Sequence, residues 1–599
     1  MNHSCPHRQG AFPSADGTLF RVWAPYAKKL DLLLSGKRKT LPMHAEGGGF
    51  HDIFVPGLKA GALYKYSING GQPRPDPASN SQPQGVHGPS QTVDHAAFRW
   101  RDCGWKGITP DKLLLYELHT GTFSPRGDFA GIESKIPHLK KLGINAVELM
   151  PVAQFPGGRN WGYDGAFPYA PQNTYGGPHA LKRLVDACHR AGLAVILDVV
   201  YNHLGPEGNY FGCYGPYFTG KYRTPWGRAV NFDGSDSVPV RDFFIQNALH
   251  WLRDYHIDGL RLDAIHGIFD QSACHFLSQL RRETDALSAA EGRPLFLIAE
   301  SDLNDTRILR GESAGGYGLA AQWSDDFHHS LHALLTGENT GYYEDFGSFS
   351  HLAKAFSSGF VYDGGYSMHR RRAHGSPSGG LHPRMFVVCS QNHDQVGNRL
   401  AAERLSAIAG VRKARLAAGA VLLSPYVPLI FMGEEYAETA PFNYFVSHGD
   451  KKLIAAVRRG RRREFAAFNW PAPPPDPQDR KVFDASKLDW RKPARAPHSA
   501  MLKLYRSLLA VRRAHPSLGC LPRKNTVITD DEQNKILTLR RKAGTDETFT
   551  VFNFGGSSAQ AALPQGRWRL LLSSEPGDNG KADGARRLIP AESFAIFSR

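Results

Sequence analysis

Apolar residues alternate with polar ones in Thr18–Leu34, "TLFRVWAPYAKKLDLLL", where the pattern breaks at Gly36, and again in Ala62–Gly70, "ALYKYSING". Side chains of a strand point alternately to its two faces, so this period predicts short half-buried strands. Closely spaced turn signals predict that they form a small β-sandwich. Gly70–Asp94, rich in Pro, Gly, Ser and Gln, reads as a linking loop. From Leu113 the texture changes to eight short apolar runs: "LLLYELHTG", "AVELMPV", "AVILDVVYNH", "GLRLDAIH", "LFLIAES", "AAQWSDDF", "MFVVCSQNHD" and "PLIFMGEE". Segments such as "ALKRLVDACHRAG" and "VRDFFIQNALHWLRDYH", apolar at helical spacing, lie between several of them. Apolar strands that each lead into a helix indicate a parallel sheet covered on its faces, and eight of them indicate a (β/α)₈ barrel.

After a last helix in "SAMLKLYRSLLAVRRAHPSL" the alternation returns in "KILTLRRK", "TFTVFNF" and "RWRLLLS". The expected architecture is therefore multidomain α/β. An N-terminal β-sandwich (residues 1–105) and a C-terminal β domain (516–599) flank a TIM barrel with loop insertions (106–515). A doubly wound open sheet is the rival, but it calls for a glycine-rich phosphate loop after an early strand, and none is present.

Length and charge add to this picture. A chain of 599 residues divides into two or three domains, and 41% hydrophobic with 11% aromatic residues supplies their cores. The seven cysteines are scattered without a CxxC pair, so neither a disulfide framework nor a zinc site is expected. The first residues lack an apolar signal core, and no run is long enough to span a bilayer. A cytoplasmic protein without a membrane partner is expected. The net charge of +16 raises the question of nucleic acid, and "VRRGRRREF", Val457 to Phe465, is the densest basic run. No fold motif of a nucleic-acid binder accompanies it, so none is expected as a partner.

The candidate chemistry lies at the strand ends. Nearly every apolar run finishes in polar groups: Glu117 and His119, Asn202 and His203, Asp263, Glu300, Asp325, His393 and Asp394, Glu434. Barrel active sites form where the C-terminal ends of several strands converge. In "DGLRLDAIHGI", Arg261 and Asp263 are two apart and share a face, opposite Leu260 and Leu262. A single carboxylate at a strand end more often caps or pairs than reacts. Three of them (Asp263, Glu300 and Asp394) on different strand ends, beside Arg, His and Asn, favour chemistry. Glycoside hydrolysis needs two carboxyl groups, one to protonate the leaving oxygen and one to attack or to activate water. Arg261 should keep Asp263 an anion, whereas an apolar strand end and a neighbouring anion should raise Glu300 and suit it to be the acid. Asp394 could then stabilise positive charge or bind hydroxyls. His203, His393 and Tyr163 taken singly read as packing, although a tyrosine among Gly and Asp can also stack on a sugar face. A metallohydrolase is a further class, since "DDFHHS" (Asp325 to Ser330) holds ligand atoms. Adjacent residues of an extended segment point apart, so no metal is predicted.

These residues resemble the α-amylase family of retaining glycoside hydrolases: "DVVYNH", "GLRLDAIH", "IAES" and "QNHD" stand in the order of its four sequence regions. The resemblance implies Asp263 as nucleophile, Glu300 as acid/base and Asp394 as transition-state stabiliser. It implies that Tyr163, Asp198, His203, Arg261 and His393 shape the sugar site. Asn202 matches a calcium position of many amylases, but no partner ligands accompany it, so no cofactor is expected. Within the family, "WGYDGAFPYAPQNTYGGP", "IAESDLND", "WSDDFHHSLH" and "NHDQVGNR" resemble the members that cut trehalose from maltooligosyltrehalose. That likeness implies an α-glucan substrate with a trehalose end, and pairing with the enzyme that makes that end. It implies substrate contacts at His266, Asp325, Asp326, His328, His329, Gln395 and Asn398, and it makes the basic run a family feature. Glycogen-branching and debranching enzymes share the trio and remain the rivals; "AIHGI" and "IAESDLND" favour the trehalose-releasing reading. A non-catalytic carbohydrate-binding protein on this fold would need no such trio.

Overall fold

A computed structural model describes residues 8–36, 40–464, 473–575 and 586–599. Cys5 and Phe465, the last residue of the basic run, lie outside them. The first alternating segments form two packed antiparallel sheets. One orders Gly10–Pro13, Gly17–Trp23, Phe50–Pro56 and His44–Ala45; the other orders Leu41–Pro42, Leu30–Leu34, Leu63–Ile68 and Ser90–Gln91. Phe20, Val22, Leu32, Tyr64 and Tyr66 fill the space between them. The segment read as a linking loop takes part in this packing. Ser90–Gln91 adds a strand to the second sheet, and Tyr64 donates to the buried Asp76 carboxylate at 2.7 Å.

Eight parallel strands then close a barrel: β1 Leu115–Leu118, β2 Ala146–Leu149, β3 Ala194–Val199, β4 Gly259–Leu262, β5 Phe296–Ala299, β6 Ala321–Trp323, β7 Phe386–Val388 and β8 Val427–Phe431. Among the helices around it are α1 Gly177–Arg190, α2 Ser237–Leu249, α3 Phe276–Glu291, α4 Asp325–Thr336, α5 Gly410–Leu422, α6 Lys451–Glu464 and α7 His498–Ala514. The period-2 rule sorts every strand. Leu115, Ala146, Ala194, Ile196, Phe296, Ile298, Ala321, Val387 and Leu429 fill the barrel's inside, and Leu118, Leu260 and Leu262 pack outward against the helices. Two residues further along, the inward column becomes polar: Glu117, Glu148, Asp198, Arg261. The start of β4 is crowded, because a Cβ at Gly259 would lie 2.6 Å from the Phe296 ring.

Among the described residues, the C-terminal domain forms a five-stranded antiparallel sheet with a two-stranded companion. Buried Arg541 of this domain donates from Nη1 to the carbonyls of Leu423 and Ser424 at 3.4 and 3.3 Å, tying it to the end of the barrel. "DDFHHS" is not extended. Ser324 caps α4, and Asp325–Ser330 form its first turns, so residues four apart share a face. Among the described residues no helix is long and apolar enough to cross a membrane, and no cluster of His, Cys, Asp and Glu is arranged to hold a metal ion.

Candidate active site

Arg261 is the hub. Its side chain is wholly buried, and its Nη1 meets Asp198 Oδ1 and Oδ2 at 2.9 and 2.8 Å and Asp263 Oδ1 at 2.9 Å. Its Nη2 stands 3.7 Å from Glu300 Oε2, and its guanidinium lies 4.4 Å from the centre of the Trp323 ring. A buried charge is tolerable only when compensated, and here three strand ends supply carboxylates to one cation. The parallel register sets Asp198 beside Arg261 and so fixes the first of these pairs.

Asp263 is shared between two donors. Arg261 holds Oδ1, and the Asn202 amide donates to Oδ2 at 2.9 Å and to the Asp263 carbonyl at 3.1 Å. The next residue, Ala264, adopts φ 38°, ψ 53°, a left-handed conformation that a residue with a Cβ visits at a cost of ~1–2 kcal/mol. The turn aims the Ala264 N–H at Glu300 Oε2, with which it hydrogen-bonds. The backbone after one carboxyl thus fixes the other. Burial raises the Glu300 carboxyl above its ordinary value; Arg261 opposes this and the negative charge of Asp263 adds to it. Burial likewise pushes Asp198 up to about 7, against the pull of Arg261.

Asp394 opens a short helix, His393–Gly397, capped by the Asn392 side chain. His393 Nδ1 meets Glu117 Oε1 at 2.5 Å, and its Nε2 faces Asp394 Oδ2 at 3.3 Å and Tyr163 Oη at 2.8 Å. Burial works to lower His393, but Asp394 and Glu117 outweigh it and raise the imidazole well above its usual range. For Asp394, desolvation at the barrel mouth works upward and His393 overcomes it, holding the carboxyl at about 2. Its side chain is still 41% exposed, open to a ligand. Tyr163 donates to Asp198 Oδ2 at 2.7 Å and stacks on His393, so one chain of polar contacts runs from Glu117 through His393, Tyr163 and Asp198 to Arg261 and Asp263. His203 hydrogen-bonds Asn202 and the Tyr163 carbonyl, and Trp226 stacks on its ring at 4.8 Å.

The remaining expected residues divide. His266 sits in the turn after Asp263, 3.9 Å from Asp302 Oδ1; Asp302 is in turn held by Arg370 at 3.1 Å. Burial, then the charges of Glu300, Asp302 and Asp394, raise Asp325 well above the usual carboxylate range, which sets it among the acids of the site. His329, one turn along the same face, stacks on Tyr342 at 4.7 Å. Gln395 is buried with its Oε1 unpaired, and Asn398 donates to Asp394 Oδ1 at 3.1 Å. Asp326 is turned inward. Its Oδ2 accepts from Asn304 Nδ2 and from the N–H groups of Val361 and Tyr362 at 2.7–2.9 Å, which anchors that loop. His328 is buried against His329 and His332. The amylase calcium position, Asn202, spends its amide nitrogen on Asp263 and Ala264 and its oxygen on His203.

Reading the sequence counted Glu117 among the strand-end polar groups but gave it no role, and it missed Glu148. Their signal was the one given by Arg261, a charged residue on the inward positions of an apolar strand. Glu148 lies in register beside Glu117, and burial raises its carboxyl well above the ordinary range, followed by the charge of Glu117. Trp323, packed on Arg261, carried no such signal.

A curated malto-oligosyltrehalose trehalohydrolase of Rhizobium sp. (strain M-11) is 44% identical over 96% of this chain and 97% of its own. The chain belongs to the malto-oligosyltrehalose trehalohydrolase family. A second member, from Saccharolobus solfataricus, is 44% identical over 88% of this chain and 89% of its own. A 1,4-alpha-glucan branching enzyme of Corynebacterium jeikeium is more distant, 26% identical over 97% of this chain and 78% of its own. The alpha amylase catalytic-domain family matches residues 75–248, and carbohydrate-binding module 48, the isoamylase N-terminal domain, matches residues 7–81. Among solved structures, a Salmonella typhimurium protein described as an alpha amylase superposes with a TM-score of 0.90 at 36% identity, covering 99% of this chain and all of its own. A pullulanase of Anoxybacillus sp. LM18-11 superposes at 0.75 with 20% identity over 99% and 87%, a likeness of fold.

Proposed function

We propose that the protein hydrolyses the α-1,4 glucosidic bond next to the terminal trehalose of maltooligosyltrehalose and releases trehalose. The observation that carries this reading is the convergence of Asp263, Glu300 and Asp198 on the one guanidinium of Arg261, in a chain whose full-length relatives bear that activity as their name. Asp263 serves as nucleophile at the anomeric carbon, its second oxygen steadied by Asn202. Glu300, whose pKa burial raises, gives its proton to the leaving oxygen and then takes one from water. Both carboxyls stand on one guanidinium, which suits the ~5–5.5 Å separation of retaining enzymes. Asp394, ionised and open to the cleft, stabilises the positive charge of the oxocarbenium-like transition state. Tyr163, Asp198, His203, Arg261 and His393 hold the sugar before the cleaved bond, and His266, Asp325, His329, Gln395 and Asn398 contact the trehalose side. Asp326 and His328 act behind them, as supports of the loop and the helix.

The catalytic unit of this proposal is residues 106–515, flanked by the sandwich 1–105 and the β domain 516–599. The six described cysteines are all free, which supports a cytoplasmic setting, and the substrate would come from an enzyme that builds the trehalose end. The test is a product assay on maltooligosyltrehalose and on a plain maltooligosaccharide of matched length. Rapid trehalose release with slow cutting of the plain chain is the expected result. Equal cutting of both, or new α-1,6 branches, would refute the assignment in favour of a sister activity.

A further inference from the structure

The basic run has no part in the mechanism above, yet its helix reaches the active site. Arg461 of α6 donates from Nη1 to Asn398 Oδ1 at 3.2 Å and from Nη2 to the Gly397 carbonyl at 3.2 Å, and its guanidinium lies 4.8 Å from the centre of the Tyr444 ring. A guanidinium can only donate, so the Asn398 atom facing it is the amide oxygen. That orientation turns the amide nitrogen of Asn398 toward Asp394 Oδ1, which it meets at 3.1 Å. The second bond of Arg461 falls on the last turn of the short helix that Asp394 opens. Tyr444 in turn stands edge-on to Trp161, and Trp161 stands edge-on to His393 at 5.6 Å. One arginine therefore braces both flanks of Asp394, Gly397 and Asn398 after it through hydrogen bonds and His393 before it through packed rings.

We propose that Arg461 is a positioning residue of the active site, which fixes the Asp394 carboxylate through Asn398. The inference rests on the reading of Asp394 as the third carboxylate of the reaction. A half-exposed carboxylate has several rotamers open to it, and it stabilises a developing charge only from one of them. Misplacement by about 1 Å can cost on the order of 100-fold in rate. Arg461 touches neither substrate nor reacting atoms in this scheme, so its loss should appear in kcat rather than in KM.

The experiment is a double-mutant cycle on the full-length protein, read as kcat and KM for trehalose release. Arg461→Ala should lower kcat by about tenfold with KM within about twofold, and Arg461→Lys, which keeps one donor of two, should fall between it and the parent. In an Asn398→Ala background the same Arg461→Ala change should cost less than about threefold further, because its route to Asp394 is already cut. Asp394→Asn separates the two claims. If it turns over normally, the reading of the site fails. If it is inactive while Arg461→Ala keeps kcat within twofold, or loses as much beside Asn398→Ala as alone, the inference on Arg461 fails and the reading of the site stands. Should Arg461→Ala not fold, the lysine variant carries the same comparison, and wild-type kcat in Arg461→Lys with and without Asn398→Ala would overturn the proposal.

Discussion

Arg261 and Asp263, two residues apart on one strand, meet at 2.9 Å through Nη1 and Oδ1, and the same nitrogen also holds Asp198. The pair is structural and chemical at once. Without the arginine, two buried carboxylates would face each other with no cation between them. Without the carboxylates, a buried guanidinium would have no charge to balance it.

Arg261→Met should therefore lose both activity and stability. Leaving buried carboxylates unpaired costs roughly 3–5 kcal/mol, and kcat should fall by three orders of magnitude or more as Asp263 loses its orientation. Arg261→Lys should rescue stability in part and activity little, because one ammonium cannot span Asp198, Asp263 and Glu300. Thermal unfolding and steady-state kinetics on the two variants check this. A fully active Arg261→Met variant would remove the hub from the mechanism.

Asp263→Ala and Glu300→Gln should each abolish turnover while keeping the fold, with losses of roughly 10²–10⁴ or more for the acid. The pH dependence follows from Glu300. Its proton is the one donated, and burial has raised its pKa, so activity persists above the ordinary carboxyl range near ~4.3 and is lost as pH rises through the raised value. The alkaline limb of kcat/KM should be missing from the residual activity of Glu300→Gln. An unchanged limb in that variant would assign it to another group.

His393 gives a stability prediction of the opposite reach. Its folded pKa lies well above the unfolded value of ~6.5, so the stability of its contacts with Glu117 and Asp394 is fully present below ~6.5. That stability is lost as pH rises through the folded value. His393→Gln should thus melt lower than the parent at acid and neutral pH and show a shallower decline toward alkaline pH. Melting temperature against pH for both proteins is the measurement; parallel curves would contradict the assignment.

Asp326→Ala should act on the loop at Val361 and Tyr362. It removes the acceptor for two backbone N–H groups and Asn304, bonds to a charged partner worth about 1.5–3 kcal/mol, and leaves buried donors unsatisfied. We expect a loss of about 2–4 kcal/mol in unfolding free energy, read from denaturant titration. Asp325→Ala, on the cleft face of the same helix turn, should cost kcat/KM with little change in stability. The reverse pattern would exchange the two roles.

The period of the apolar residues was enough to place the sandwich, the eight barrel strands and the closing β domain, because burial on one or both faces writes itself directly into the chain. The same period put Arg261 and Asp263 on one face; Glu148, a charge on an inward position of an apolar strand, carried the same signal and went unread. It misjudged "DDFHHS", since three or four polar residues carry no period of their own; the Ser324 cap and the fold behind it made the segment a helix turn, sending Asp325 to the cleft and Asp326 into the core. Tertiary structure alone decided the contacts between distant segments: Tyr163 on His393 across 230 positions, Trp323 over Arg261, and Arg461 of the basic run on Asn398. Local sequence encodes which way a side chain faces relative to its own strand or helix. Which partner it meets there depends on barrel closure and loop packing, which are set by the whole chain at once.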